Sequence, residues 1–168
     1  MPKLVLSANV LATLRELSKL LVKASLFASC LVDQFYPEVG ESVVKVLRRL
    51  DVDLDFPTGQ TCCGQPAYNS GFQRQAKVQA RRILDLFQDS EYVVVPSGSC
   101  GSMLKVFSPD LLRDDPVLEE RAVALAERTY EFSRFLVDVL DVTDVGAEYQ
   151  GTVTYHASCH LLRELNTE

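Results

Sequence analysis

Across the first 23 residues the apolar positions Val10, Leu14, Leu17 and Leu21 recur at helical spacing, with Arg15, Glu16 and Lys19 on the other side. That pattern predicts an amphipathic helical extension. Its polar side is too poor in basic residues for a membrane surface, so its stripe is expected to dock on a core or a partner. From residue 24 the rhythm changes. Ala24–Ala28 reads as a short buried strand, and Pro37 opens a helix with Val39, Val43, Val46, Leu47 and Leu50 on one face, proline being well tolerated in a first turn. Val52–Phe56 reads as a second, more acidic strand. A helix from about Asn69 to Gln88 buries Phe72, Ala76, Ala80, Ile83 and Phe87, and Glu91–Val95 is the clearest strand.

Pro96–Gly101 reads as a loop and Pro109–Pro116 as a polar connection. A long helical pattern follows through Leu118, Ala122, Leu125, Phe132, Leu136 and Val139, with a break near Tyr130. Gly146–Gly151 then turns the chain into a fourth expected strand, Thr152–Tyr155. Strands alternating with helices imply an α/β fold, a parallel sheet of right-handed βαβ units flanked by helices. In such sheets ligands gather beyond the carboxyl ends of the strands. Each cysteine (Cys30, Cys62, Cys63, Cys100 and Cys159) falls within a few residues of such an expected end.

Composition narrows the class. A chain of 168 residues with 47% hydrophobic and 24% charged positions suits an ordinary globular domain with a real core. The net charge of −6 argues against a broad nucleic-acid footprint, and no stretch approaches the roughly 20 apolar residues of a membrane span. Leu4–Leu14 faintly resembles a signal-peptide core, but Asn9 interrupts it and no small-x-small cleavage site follows. The expected compartment is therefore the cytoplasm. Five cysteines cannot all pair internally, and in a reducing compartment clustered thiols point to metal or redox chemistry.

The stretch Gln60-Thr61-Cys62-Cys63-Gly64-Gln65-Pro66 sets two adjacent thiols in turn-forming sequence. A plain packing role is the competing reading, because free cysteine is often simply buried. Cys30, Cys62, Cys63 and Cys100 are separated by 31, 0 and 36 intervening residues, with none of the close pairs that a structural zinc site favours. Neighbouring side chains in extended chain point apart. Cys62 and Cys63 thus ligate different atoms of a cluster more easily than one ion, and the chemistry leans to iron–sulfur over zinc.

These motifs resemble the CCG, or cysteine-rich, domain family, which includes the cysteine-rich subunit of heterodisulfide reductase and the iron–sulfur subunit of glycolate oxidase. The residues that carry the likeness are Ser25–Pro37, Gln60–Gly71, Pro96–Cys100 and Tyr155–Arg163, within roughly residues 23 to 165. They are most similar to the lactate-utilisation type. The resemblance implies a cofactor held by Cys30, Cys62, Cys63 and Cys100, expected as an iron–sulfur cluster of the [4Fe–4S] kind with zinc as the alternative. It also implies oxidation of L-lactate or a related 2-hydroxy acid to pyruvate, in a complex with iron–sulfur and accessory subunits.

Two departures qualify that likeness. Where cluster-binding members carry Cys-x-x-Cys, Cys100 is followed at the third position by Met103. Members of the family also carry two cysteine motifs. Here Ala157-Ser158-Cys159 repeats Ala28-Ser29-Cys30, so residues 24–150 read as a first domain and 151–168 as the start of a truncated second repeat. Cys159 then belongs to that second motif or serves as an additional ligand of the first.

The remaining candidates are weaker. His156 and His160 flank Cys159 and could activate its thiol or support a cluster by hydrogen bonds. Gly98-Ser99-Cys100-Gly101 matches neither a hydrolase elbow nor a phosphate-binding loop, leaving its glycines to admit backbone N–H groups near a thiolate. Tyr68 and Asn69 would wall the site. A zinc-stabilised interaction module and a thiol enzyme acting through Cys100 or the vicinal pair stand as alternatives; self-association is left open.

Overall fold

The computed structural model describes residues 22–167; the helix expected at the amino terminus lies outside them. Four strands, β1 (Lys23–Leu26), β2 (Asp53–Asp55), β3 (Tyr92–Val95) and β4 (Thr129–Glu131), form one sheet in the order β2-β1-β3-β4. All three pairings are parallel, with Ser25 beside Asp55 on one side and Val93 on the other. The α/β expectation is met. Val93, Val94 and Val95 are fully buried, as a strand covered on both faces requires.

The side chains of successive strand residues alternate between faces, and two helical layers receive them. On one face α1 (Cys30–Phe35) leads into α2 (Pro37–Arg49), which buries Val43 and Leu47 against Ala24, Leu26, Val52, Val94 and Phe135. On the other, α3 (Gln65–Asn69) precedes α4 (Gln73–Leu86), whose Ala76, Ala80, Ile83 and Leu84 pack on Phe27, Phe87, Val93 and Val95. Fully burying each of the large side chains among these contributes about 1.5–3 kcal/mol. Just ahead of β3, Ser90 Oγ donates to Ser25 Oγ at 2.8 Å, so the buried hydroxyl of β1 is satisfied.

Phe72, expected on a buried helix face, is exposed ahead of α4, and three expectations about the later elements are also corrected. Residues 98–112 are helical: α5 (Gly98–Ser102) passes through a π-helical turn, Met103–Phe107, into α6 (Ser108–Leu112). Pro109, which has no N–H to donate, falls directly after the π-helical turn, in the first turn of α6, and Leu111 and Leu112 are buried. The long helical pattern beyond Pro116 is two helices split by a strand. After α7 (Pro116–Glu127), β4 adds to β3 through Val93, Val94 and Val95, and α8 (Phe132–Arg134) follows, continuing as a second π-helical turn, Phe135–Val139. Thr129 Oγ1 donates to Leu125 O at 2.7 Å and closes the helix, while Lys105 Nζ donates to Ala126 O and Thr129 O. The third correction follows from the second. The edge beside β3 is taken by Thr129–Glu131, and Thr152–Tyr155 is exposed and outside the sheet. Cys159 therefore follows no strand; it begins α9 (Cys159–Arg163).

Candidate thiol site at the carboxyl edge of the sheet

From β1 the chain runs outward to β2 and then returns across β1 to β3, so the direction of winding reverses between β1 and β3. Loops leaving the carboxyl ends on either side of such a reversal diverge and leave a crevice. Cys30 lies beyond β1, Cys62 and Cys63 beyond β2, and Cys100 beyond β3.

Each loop is held by local chemistry. Ser29 caps α1, its Oγ accepting from Val32 N at 3.2 Å, which sets Cys30 in the first turn. Ser97 caps α5 in the same manner, accepting from Cys100 N at 3.4 Å. The Cys62–Cys63 loop is pinned to α4 by Thr61 Oγ1 donating to Gln79 Oε1 at 2.8 Å and by Arg82 donating to Gly59 O. Gln60 joins this loop to the first: its Oε1 accepts from Ala28 N at 2.9 Å and its Nε2 donates to Leu26 O at 2.8 Å. Gly64 turns the chain directly after Cys63 with φ +89°, a conformation that glycine alone adopts freely.

The four thiols meet as two pairs. Cys30 and Cys62 are neighbours lining one cleft and only partly buried. Cys63 and Cys100 are in contact inside the core, 2% and 5% exposed. Electrostatic interaction between Cys30 and Cys100 links the pairs. The hydrogen bond from Cys63, with those from Ser97 and Ser99, outweighs burial and lowers the Cys100 pKa to about 7. The same contact, then burial, drives the Cys63 thiol far up. Burial followed by the Cys62 contact raises Cys30. A cleft of about 480 Å³ opens beside the first pair, lined by Ala28, Cys30, Asp33, Phe56, Gln60 and Cys62 among others.

Cys159 is exposed and stands outside both pairs. Its surroundings nevertheless copy those of Cys30. Ser158 caps α9 with Oγ accepting from Leu161 N at 3.3 Å, and its backbone angles (φ −65°, ψ 155°) match those of Ser29 (φ −65°, ψ 153°). The helix seats on α5: a Cβ at Gly98 would stand 2.6 Å from Leu161 Cγ, and Ser102 Oγ donates to His160 O at 3.3 Å. His160 turns inward, with the Gln65 amide nitrogen 3.1 Å from its Nε2 and its ring edge-on to Phe107; His156 is exposed. Tyr68 packs on Phe107 with 5.3 Å between centroids, whereas Asn69 is exposed. Met103 is fully buried one turn beyond Cys100 and belongs to the core.

The set Cys30, Cys62, Cys63 and Cys100 suits soft, thiophilic metals. Among the described residues no three Cys, His, Asp or Glu side chains are grouped to hold a single ion. Gln60 and Ser97 are site residues that hydrophobic spacing and cysteine placement do not single out. A serine three residues before Cys100 is a legible capping signal, but the partners of Gln60 lie more than thirty residues away and leave no local trace.

The stretch that carries these thiols is similar to known proteins. The CCG cysteine-rich domain profile matches residues 24–105, spanning all four thiols. The chain is 52% identical over 147 residues to lactate utilization protein A of Geobacillus kaustophilus, covering 88% of this chain and 61% of that protein. It is 53% identical over 144 residues to the protein of the same name from Geobacillus thermodenitrificans, covering 86% and 60%. The Oceanobacillus iheyensis protein is 48% identical over 147 residues, covering 88% and 60%. The chain thus spans about three-fifths of the length of the curated relatives it matches.

Proposed function

We propose, since this chain belongs through residues 24–105 to the CCG family of cysteine-rich domains, that it is an electron-transfer subunit in the oxidation of L-lactate, or a related 2-hydroxy acid, to pyruvate. In this reading Cys30, Cys62, Cys63 and Cys100 hold an iron–sulfur cluster of the [4Fe–4S] type, in a complex with iron–sulfur and accessory subunits of the lactate-utilisation type. The observation that carries it is the meeting of thiols from three separate loops on one sheet edge. Such a cluster, when bound, supplies one-electron transfer at a potential set by its surroundings.

The chain's own residues supply the setting. Cys63 and Cys100 hold their side of the site inside the core, away from water, and Ser97 and Ser99 direct hydrogen bonds at the Cys100 sulfur, a means of tuning a bound centre. Zinc on the same four thiols is the weaker reading. A tetrahedral ion draws its ligands to one point, and the described residues contain no such grouping. Reduced thiols suit the cytoplasm, the compartment this reading assigns. No helix among the described residues is long and apolar enough to cross a membrane.

We further assign residues 24–150 to a first CCG-type domain and 151–168 to the opening of a second repeat, on the likeness between the capped turns at Cys30 and Cys159. Anaerobic purification and reconstitution, followed by iron and acid-labile sulfide analysis and EPR, tests the cluster. Equal amounts of iron and sulfide with a reducible signal are expected. A colourless, iron-free protein after reconstitution would overturn the assignment.

A further inference from the structure

The four thiols at the sheet edge differ in access. Cys63 and Cys100 lie within the hydrophobic core, 2% and 5% exposed. Cys30 and Cys62 are partly exposed and both line the 480 Å³ cleft. Gln60 keeps their loops side by side through its bonds to Ala28 N and Leu26 O, so the two thiols face one another across a single cleft. The cleft therefore offers a small reagent both members of one pair and neither member of the other.

We propose that Cys30 and Cys62 of the metal-free chain are a redox-active dithiol, oxidised to a Cys30–Cys62 disulfide by a small-molecule disulfide that enters the cleft. One cysteine sulfur attacks a sulfur of the reagent R–S–S–R, breaking its S–S bond and releasing one R–SH. The second cysteine attacks the mixed disulfide so formed, closing the protein S–S bond and releasing a second R–SH. Two electrons pass from the protein thiols to the reagent, and both thiol protons leave on the R–SH products. Access decides the outcome, because exchange requires a sulfur to reach the disulfide bond it attacks. Neither the Gln60 tie nor the cleft depends on the cluster assignment, so an iron-free result would leave this inference standing.

The test uses the full chain, reduced and metal-free, in the Cys159→Ser background so that four thiols remain of the original five. Bis(2-hydroxyethyl) disulfide is added, excess reagent is removed, and free thiols are counted after unfolding. The expected count falls from four to two with no reagent retained. After alkylation and trypsin digestion, the peptide spanning residues 24–45 is expected to be linked to that spanning 50–74, while the Cys100 peptide is alkylated. Cys62→Ser abolishes the link and Cys63→Ser keeps it. A link to the Cys100 peptide, persistence of all four thiols, or mixed disulfides that never close would overturn the proposal.

Discussion

Gln60 brings no reactive group to the site, yet both ends of its amide are engaged by the backbone just ahead of Cys30. Replacing it with alanine leaves one backbone donor and one acceptor without partners, a loss of about 1–3 kcal/mol each where desolvation is complete and less here, since the region is only partly buried. Gln60→Ala should therefore unfold at lower urea and retain less iron after reconstitution; equal iron in the two proteins would show that the loops need no such tie. Gly64→Ala is the second residue-scale prediction. It forces a side chain into φ +89° and sets its Cβ 3.2 Å from Gln79 Cβ, so a loss of about 1 kcal/mol or more is expected in denaturant titration. The cysteines were legible because thiols following strands are a local signal. Gln60 was not, because what makes it matter is a neighbour supplied by the fold.

At the scale of elements, β1, β2, β3 and the longer helices α2 and α4 followed from hydrophobic spacing, while the short α1 and α3 and the strand β4 did not. Three residues are too few to display a period, and Leu125 and Phe132 on either side continue the helical one. The alternating Thr152–Tyr155 had the opposite fault: a strand-like pattern whose place in the sheet was already filled. The seat of α9 gives a test at this scale. Because any Cβ at position 98 collides with Leu161, Gly98→Ala should raise amide exchange across residues 159–165 and spare α4. Unchanged exchange there would mean that α9 is not anchored through Gly98. Farther from the site, Lys77 bonds Asp114 at 2.6 Å and holds its carboxyl below the ordinary value of 3.8, chiefly through that hydrogen bond. The sign follows: the pair stabilises fully above that value and progressively less as pH falls through the lowered one. Lys77→Met should be slightly less stable than the parent at neutral pH, with the gap closing in acid denaturation; a gap that widened in acid would contradict the pairing. The Asp114 carboxylate stands open to water, so the effect is small.

For the molecule as a whole, the two apolar layers are built mainly from aliphatic and aromatic side chains, with Cys63 and Cys100 the only proposed ligands buried in them. Removing iron from a loaded sample with a chelator should then leave far-ultraviolet circular dichroism nearly unchanged, unlike a zinc-organised module that loses its fold with its ion. Collapse of the spectrum would favour that other class. Fold class and the edge on which the thiols gather were readable in advance, since both follow from strand–helix alternation. Their division into an open and a buried pair was not, for it depends on how far each loop sinks beneath α4 and α5. The position of β1 in the middle of the three cysteine-bearing strands has a last implication. It is the keystone of the assembly: a slip of one residue along β1 would turn Leu26 out of its layer, part Ser25 from Ser90, and carry Cys30 away from Cys62 and Cys100 at once. Tolerance to sequence drift should accordingly be lowest at the buried Ala24, Ser25 and Leu26 of that strand, although none of them bears a thiol.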